Sequence, residues 1–119
     1  MSLDFEKYGA KGNEFIHLVA EELKVPRDMA GRIIRAVLHA LRNRLRNIDD
    51  FLDEVRKEDG GNAGYDFGNN IKAKFTVSAV FKALSYFVSG GEINDVINVL
   101  PDEMKKFIRH SLASNETVF

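Results

Sequence analysis

Ala30-Gly31-Arg32-Ile33-Ile34-Arg35-Ala36-Val37-Leu38-His39-Ala40-Leu41 is the stretch that decides the fold. Its apolar residues recur in steps of three and four, the mark of an amphipathic helix. The pattern returns, shifted by 43 positions, as Ala73-x-x-Thr76-Val77-x-Ala79-Val80-Phe81-x-Ala83-Leu84. Each copy follows a shorter helical segment, Phe15-Ile16-x-x-Val19 and Phe51-Leu52-x-x-Val55. A third apolar segment, Ile93-x-x-Val96-Ile97-x-x-Leu100-Pro101, follows the second copy, and nothing comparable follows the first. A repeated helical unit buries its apolar face against its own parts and its neighbour's. The expected fold is therefore all-α, a bundle of two related helical units, with the first unit truncated.

The 119 residues correspond to one domain. We divide them into an arm (1–12), the first unit (13–46), the second unit (47–112) and a tail (113–119). Composition, 45% apolar and 29% charged, is that of an ordinary soluble domain. There is no cysteine, which removes disulfide frameworks, thiolate catalysis and cysteine-bound zinc. No apolar run reaches the ~20 residues that cross a bilayer. The opening residues lack the basic-then-apolar order of a secretory signal, so cytoplasmic residence is the expectation. Net charge is −1, which argues against non-specific nucleic-acid binding.

Helices are expected at Asn13–Lys24, from Pro26 onward, at about Ile71–Val88, at Glu92–Val99 and from Pro101. Asn13 is a candidate N-cap, and Pro26 suits a first helical turn. Gly31 costs a helix about 1 kcal/mol relative to Ala and is read as a close-packing position. Asp59–Asn70, with four glycines, reads as a loop, and Ser89-Gly90-Gly91 as a positive-φ helix stop. In the helix at 71–88, Phe75, Ala79, Ala83 and Tyr86 form a second apolar stripe, which makes it the central helix. Val80 and Leu84 are its expected core residues, and Met104, Phe107 and Ile108 face inward from the last helix.

Near Asn47 two readings compete. Ile34, Leu38, Leu41, Leu45, Ile48, Leu52 and Val55 keep helical steps without interruption, which favours one fused helix over about 26–58, roughly 50 Å long at 1.5 Å per residue. Alternatively a new helix starts at Asn47, a good cap followed by Asp49 and Asp50 in the positive first turn. A fused helix carries the second unit away from the first and leaves the face of Ile34, Leu38, Leu41, Leu45, Ile48 and Leu52 for self-association. Leaving four such side chains in water forgoes roughly 6–12 kcal/mol. The expected partner is thus a second copy, in a homodimer with exchanged helices.

Residues 35–45 (Arg35-Ala36-Val37-Leu38-His39-Ala40-Leu41-Arg42-Asn43-Arg44-Leu45) carry a family resemblance, together with Ala79-Val80-Phe81-x-Ala83-Leu84, Gly91-Glu92-Ile93-x-Asp95-Val96 and Val99-Leu100-Pro101-x-Glu103. Phe5-Glu6-Lys7-Tyr8 and Lys11-Gly12-Asn13-Glu14-Phe15 add to it. The chain resembles the bacterial domain of unknown function family 2267. The resemblance implies a helical fold of two related units with no established activity. It also implies another helix, ending in a Leu-Pro pair, after the first unit, and this sequence lacks it.

Charge is segregated. Lys24, Arg27, Arg32, Arg35, Arg42, Arg44 and Arg46 stand against Asp28, and an acidic block follows with Asp49, Asp50, Asp53, Glu54, Glu58 and Asp59. The simplest expectation is that the two blocks pair with each other or are solvated. The alternative function is nucleic-acid binding. Val19–Ile33 is similar to a helix-turn-helix, and Arg32, Arg35, His39, Arg42 and Arg46 fall within about 80° on a helical wheel, a stripe suited to phosphates. Lys24 stands where that turn usually has Gly. Arg44 falls on the apolar side. His17 and Glu21 are spaced i, i+4, too few for a metal site, while His39 and His110 have no local company and read as solvent-facing. No nucleophile elbow, HExxH or phosphate loop is present. No cofactor, metal or catalytic residue is expected, and the leading functional expectation is a non-catalytic, self-associating helical interaction domain.

Overall fold

In the computed structural model, residues 9–43 and 45–113 are described, with side chains from residue 12 onward. The order is α1 (Gly9–Leu23), α2 (Arg27–Leu41), α3 (Ile48–Asp59), a 3-10 turn (Gly60–Asn62), α4 (Ala63–Asp66), α5 (Asn70–Leu84), α6 (Gly90–Asn98) and α7 (Asp102–Ala113). There is no strand among the described residues. The expected all-α class is what the chain adopts. Arg44, Phe5, Tyr8 and the tail from residue 114 lie outside the described residues.

The fused helix does not form. α2 ends at Leu41, the chain turns through Arg42 and Asn43, and Asn47 starts α3. Asn47 has extended backbone (φ −128°, ψ 164°), and its side chain accepts from the Asp50 N–H at 2.8 Å. Another orphan donor of that first turn, the Ile48 N–H, is taken by Glu103 Oε1 of α7 at 2.9 Å. Asp49 and Asp50 sit where the helix dipole favours acids. These end effects decide the matter because periodicity is blind to a reversal. Ile48, Leu52 and Val55 face the same core after the turn as they would along a straight helix.

α3 therefore lies against α2 of its own chain. Ile34 and Leu52 are fully buried, Ile48 nearly so, and Leu38, Leu41 and Leu45 pack half-buried on the core. Of the face assigned to self-association, Ile34, Ile48 and Leu52 are internal and the three leucines remain partly open. α3 thus supplies much of the cover that the sequence expectation left to a second copy.

α5 packs on α1, α2, α3 and α7, so it is the central helix. Val77, Val80 and Phe81 are buried on it, and the Phe81 ring stacks on Phe51 of α3 with centroids 6.5 Å apart. Leu84 is only half-buried, contrary to expectation. The second stripe is covered only in part. Ala79 and Ala83 are buried, but Phe75 and Tyr86 are exposed.

Several ends differ from the sequence expectations. Asn13 lies inside α1, where its Oδ1 accepts from Arg27. α1 closes where expected, at Lys24, whose φ of 56° is left-handed, with Val25 N–H reaching Ala20 O at 3.0 Å and Lys24 N–H reaching Glu21 O at 3.2 Å. This is the Schellman arrangement with Lys in the place of Gly. The supposed loop 59–70 contains the 3-10 turn and α4, with Phe67 fully buried. Ser89 does not stop a helix. It starts α6 through a capping box with Glu92, while Gly90 and Gly91 are helical and have negative φ. α7 runs to Ala113, and Ser111 near its end is buried and hydrogen-bonded to Ser78 (2.9 Å). Met104 and Ile108 are buried, with Phe107 packed partly against them.

Gly31 is not a close-packing position, because a Cβ there meets nothing within 4 Å. Gly31→Ala is therefore expected to stabilise the fold by about 1 kcal/mol. Lys24→Gly should add a gain of the same order by relieving left-handed backbone, about 1 kcal/mol. Asn47→Ala should cost ~1 kcal/mol. Chemical denaturation of the three variants checks all three signs.

Candidate functional site

A ladder of polar contacts crosses the α2–α3–α4 hairpin. Asn43 donates to Glu54 (2.8 Å), His39 Nδ1 lies 3.5 Å from Glu58, and Arg32 reaches Asp66. As the residue number falls along α2, its partner's number rises, which is the register of an antiparallel pair. The Arg32 contact is a two-bond fork, Nε to Oδ2 and Nη2 to Oδ1, both 3.0 Å, and Asp66 is 1% exposed. Such planar pairing is what a guanidinium does best. The carboxylate of Asp66 raises the Arg32 pKa further. None of these contacts joins the basic block to the acidic block as the sequence grouped them: Asn43 and His39 are not members of the first, Asp66 lies outside the second, and Arg35, Arg42 and Arg46 stay exposed.

The nucleic-acid stripe is split by this network. Arg32 is committed to Asp66, with Asp28 a further 3.6 Å contact. Arg35, Arg42 and Arg46 are exposed. His39 is not solvent-facing as expected. Its side chain is 13% exposed, and its Nε2 is buried without a hydrogen-bond partner. The fold-back of α3 brings Glu58 over it, which spacing within α2 could not reveal. His17 and Glu21 form an exposed contact at 3.1 Å. No described group of three or more His, Asp or Glu side chains could hold a metal ion, and no described helix is long and apolar enough to cross a membrane.

Asp59 is the unusual member of the network. It is buried, and its Oδ2 has no hydrogen-bond partner. Burial, a hydrogen bond to Asp66 and the charge of Asp66 push its pKa up to about 7, against the pull of Arg32 and Arg35. A protonated Asp59 has an O–H to give, and Asp66 accepts it. Asp66 then serves two donors at once, the guanidinium and the acid.

Two apolar features remain open. On α5, Ile71 (72% exposed) and Phe75 (48%) share one face by their four-residue spacing, and Tyr65 (79%) belongs to the segment just before. Lys72 Nζ donates to the Tyr65 carbonyl at 3.1 Å, which ties α4 to the start of α5. The other feature is a cleft of about 140 Å³ bounded by the end of α2, the second half of α5, α6 and α7. Leu41, Leu84, Val88, Ile93 and Val96 line it over Phe81, and Glu92 is the one charged residue among the described lining. Of the residues proposed for self-association, only Leu41 reaches this cleft.

Sequence reading missed Asp66 because it falls in a segment read as loop, 34 positions from Arg32. An acid between two aromatics, Tyr65-Asp66-Phe67, is a faint signal of a buried carboxylate. The cleft was signalled by the apolar load of α6. Ile93, Val96 and Ile97 on the helix, with Val99 and Leu100 directly after it, are more than so short a segment can bury on one side.

No family model, no curated protein and no solved structure matches the chain.

Raising a buried acid's pKa has a defined consequence for stability. The folded chain holds a proton on Asp59 that the unfolded chain releases near pH 4. The resulting stabilisation is complete below that pH, declines as pH rises and is gone above about pH 7. Asp59→Asn supplies a permanent donor to Asp66. Denaturation at pH 5 and pH 8 should show the variant more stable than the parent at pH 8, with the advantage shrinking at pH 5.

Proposed function

We propose that this chain is a non-catalytic helical interaction domain that self-associates, and that it does so through closed chains rather than exchanged helices. One observation carries the reading. Ile71 and Phe75 stand in water side by side on a helix whose other faces are packed. A small domain seldom leaves neighbouring large apolar side chains uncovered without a partner, and aromatic residues are enriched in interfaces. A two-fold contact lets the same face serve both copies, and it is the commonest way soluble oligomers close. The buried residues Ile34, Ile48 and Leu52 then belong to the folding core, and the interface lies on the opposite side of α5.

The reading keeps the two-unit view as part of the proposal. Ala30, Ile33, Ile34, Ala36, Val37 and Ala40 of α2 are buried, and so are their counterparts Ala73, Thr76, Val77, Ala79, Val80 and Ala83 of α5. The likeness to family 2267 belongs to the same proposal and rests on the residues quoted for it. Nucleic-acid binding ranks below self-association because Arg32, one end of the basic stripe, is held in an internal pair.

Light scattering after size exclusion, at tens of micromolar chain, should give about twice the chain mass of 13.4 kDa. Changing Ile71 and Phe75 together to Asp should return the monomer mass with the helical content intact. A monomeric parent, or a dimer that survives the double change, would overturn the proposal.

A further inference from the structure

The cleft behind α6 has a different origin from the α5 face and calls for a different occupant. α6 is anchored at its C-terminal end, where Ile97 and Leu100 are buried, and it packs chiefly on α7. Its N-terminal half is fixed by the Ser89–Glu92 capping box, not by apolar contact. Ile93 is only half-buried there, as are Leu41, Leu84 and Val88 across the space. The chain thus holds apolar side chains apart around a gap that none of them fills.

We infer that this cleft is a binding site for a small, uncharged aromatic molecule, between benzene and indole in size. The volume, about 140 Å³, is close to that of the ~150 Å³ apolar cavity, lined by Leu, Ile and Phe, known to take up benzene. The lining is of the same kind. It leaves no room for a long acyl chain, and the ring of Phe81 at its base gives an aromatic guest a partner for offset or edge contact. Glu92 at the edge sets the charge preference. Its carboxylate accepts from the Ser89 N–H at 3.2 Å, and these bonds hold its pKa below the usual value, so it stays ionised and disfavours a carboxylate guest.

Methyl-resolved NMR with indole as the probe tests this directly, since the chain has no tryptophan of its own. Indole should cause saturable shifts confined to the methyls of Leu41, Leu84, Val88, Ile93 and Val96. Val96→Trp places a ring over the opening from a position that is 48% exposed, and it should abolish those shifts while the rest of the spectrum is kept. Leu84→Phe fills the cleft from the opposite wall and should do the same, whichever of the two variants folds better. Benzoate should bind the parent much more weakly than indole. Glu92→Gln, which preserves the capping box because Gln serves at that position, should raise benzoate binding severalfold and leave indole unchanged. Shifts that never saturate, shifts of equal size at the Ile71 methyls, or undiminished indole binding in both filled variants would each overturn the site. Equal binding of indole and benzoate by the parent would overturn its charge preference.

Discussion

The reversal of the chain at Asn47 is the constraint on which the remaining structure depends. A fused helix would take α3 roughly 30 Å or more away from the middle of α2 at 1.5 Å per residue. The turn instead lays α3 on α2, and the long apolar seam from Ile34 to Val55 closes on itself. Three local terms hold the reversal, namely the Asn47 cap, the two acids of the first turn and the hydrogen bond from Ile48 to Glu103. The last is the most telling because it comes from α7. The first turn of α3 thus takes one of its acceptors from the C-terminal helix, which ties the hairpin to the rest of the bundle.

Once the hairpin is made, its register is written in polar contacts. Asn43 with Glu54, His39 with Glu58 and Arg32 with Asp66 all require the same alignment. A slip along the helices would strand the Arg32 charge and the buried Asp66 carboxylate without each other. The cost falls mainly on Asp66, whose side chain is fully buried, because Arg32 is 35% exposed and water can take up part of its charge. The pair itself adds less net stability than such a slip costs, and its effect is to exclude wrong alignments. Asp59 shows the opposing side of the arrangement. Its placement beside a second acid is tolerated because a retained proton converts repulsion into a hydrogen bond. The apolar openings on the surface follow from the same geometry. With α2 already covered by α3, α6 is left to cover the far end of α5 and the tip of α2 at once, and its short length leaves a cleft between them.

The helical class, the central position of α5 and most core residues were legible because amphipathic spacing reports burial directly. Ile33, Val37, Val77 and Val80 are all buried where the three-four spacing places them. Capping chemistry was legible only in part: Asn47 offered the correct start against an unbroken apolar pattern that favoured a fused helix, while Asn13, read as a cap, lies inside α1. Gly90 and Gly91 misled for a physical reason. Glycine both ends helices and tolerates a first turn, and the Ser89–Glu92 box decides which. His39 and Asp66 were illegible because their environments are made by residues from other elements, and a single sequence carries no record of which helix crosses which. The exposed Ile71–Phe75 face was hidden for a related reason. Its spacing is identical to that of a buried stripe, and only the positions of α1 and α7 show that nothing in the described chain covers it.

The absence of cysteine allows a clean distance measurement across the reversal. Arg35 and Lys57 are both exposed and can be replaced by Cys and spin-labelled, with the labelled chain diluted into unlabelled chain so that only distances within one molecule are read. With α3 folded onto α2, the two labels sit on neighbouring helices whose axes lie about 8–10 Å apart, and a short distance is expected. A separation near 33 Å, the length of about 22 helical residues, would mean that the helix runs on through Asn47, and would contradict the closed hairpin from which the core and both apolar surfaces are derived.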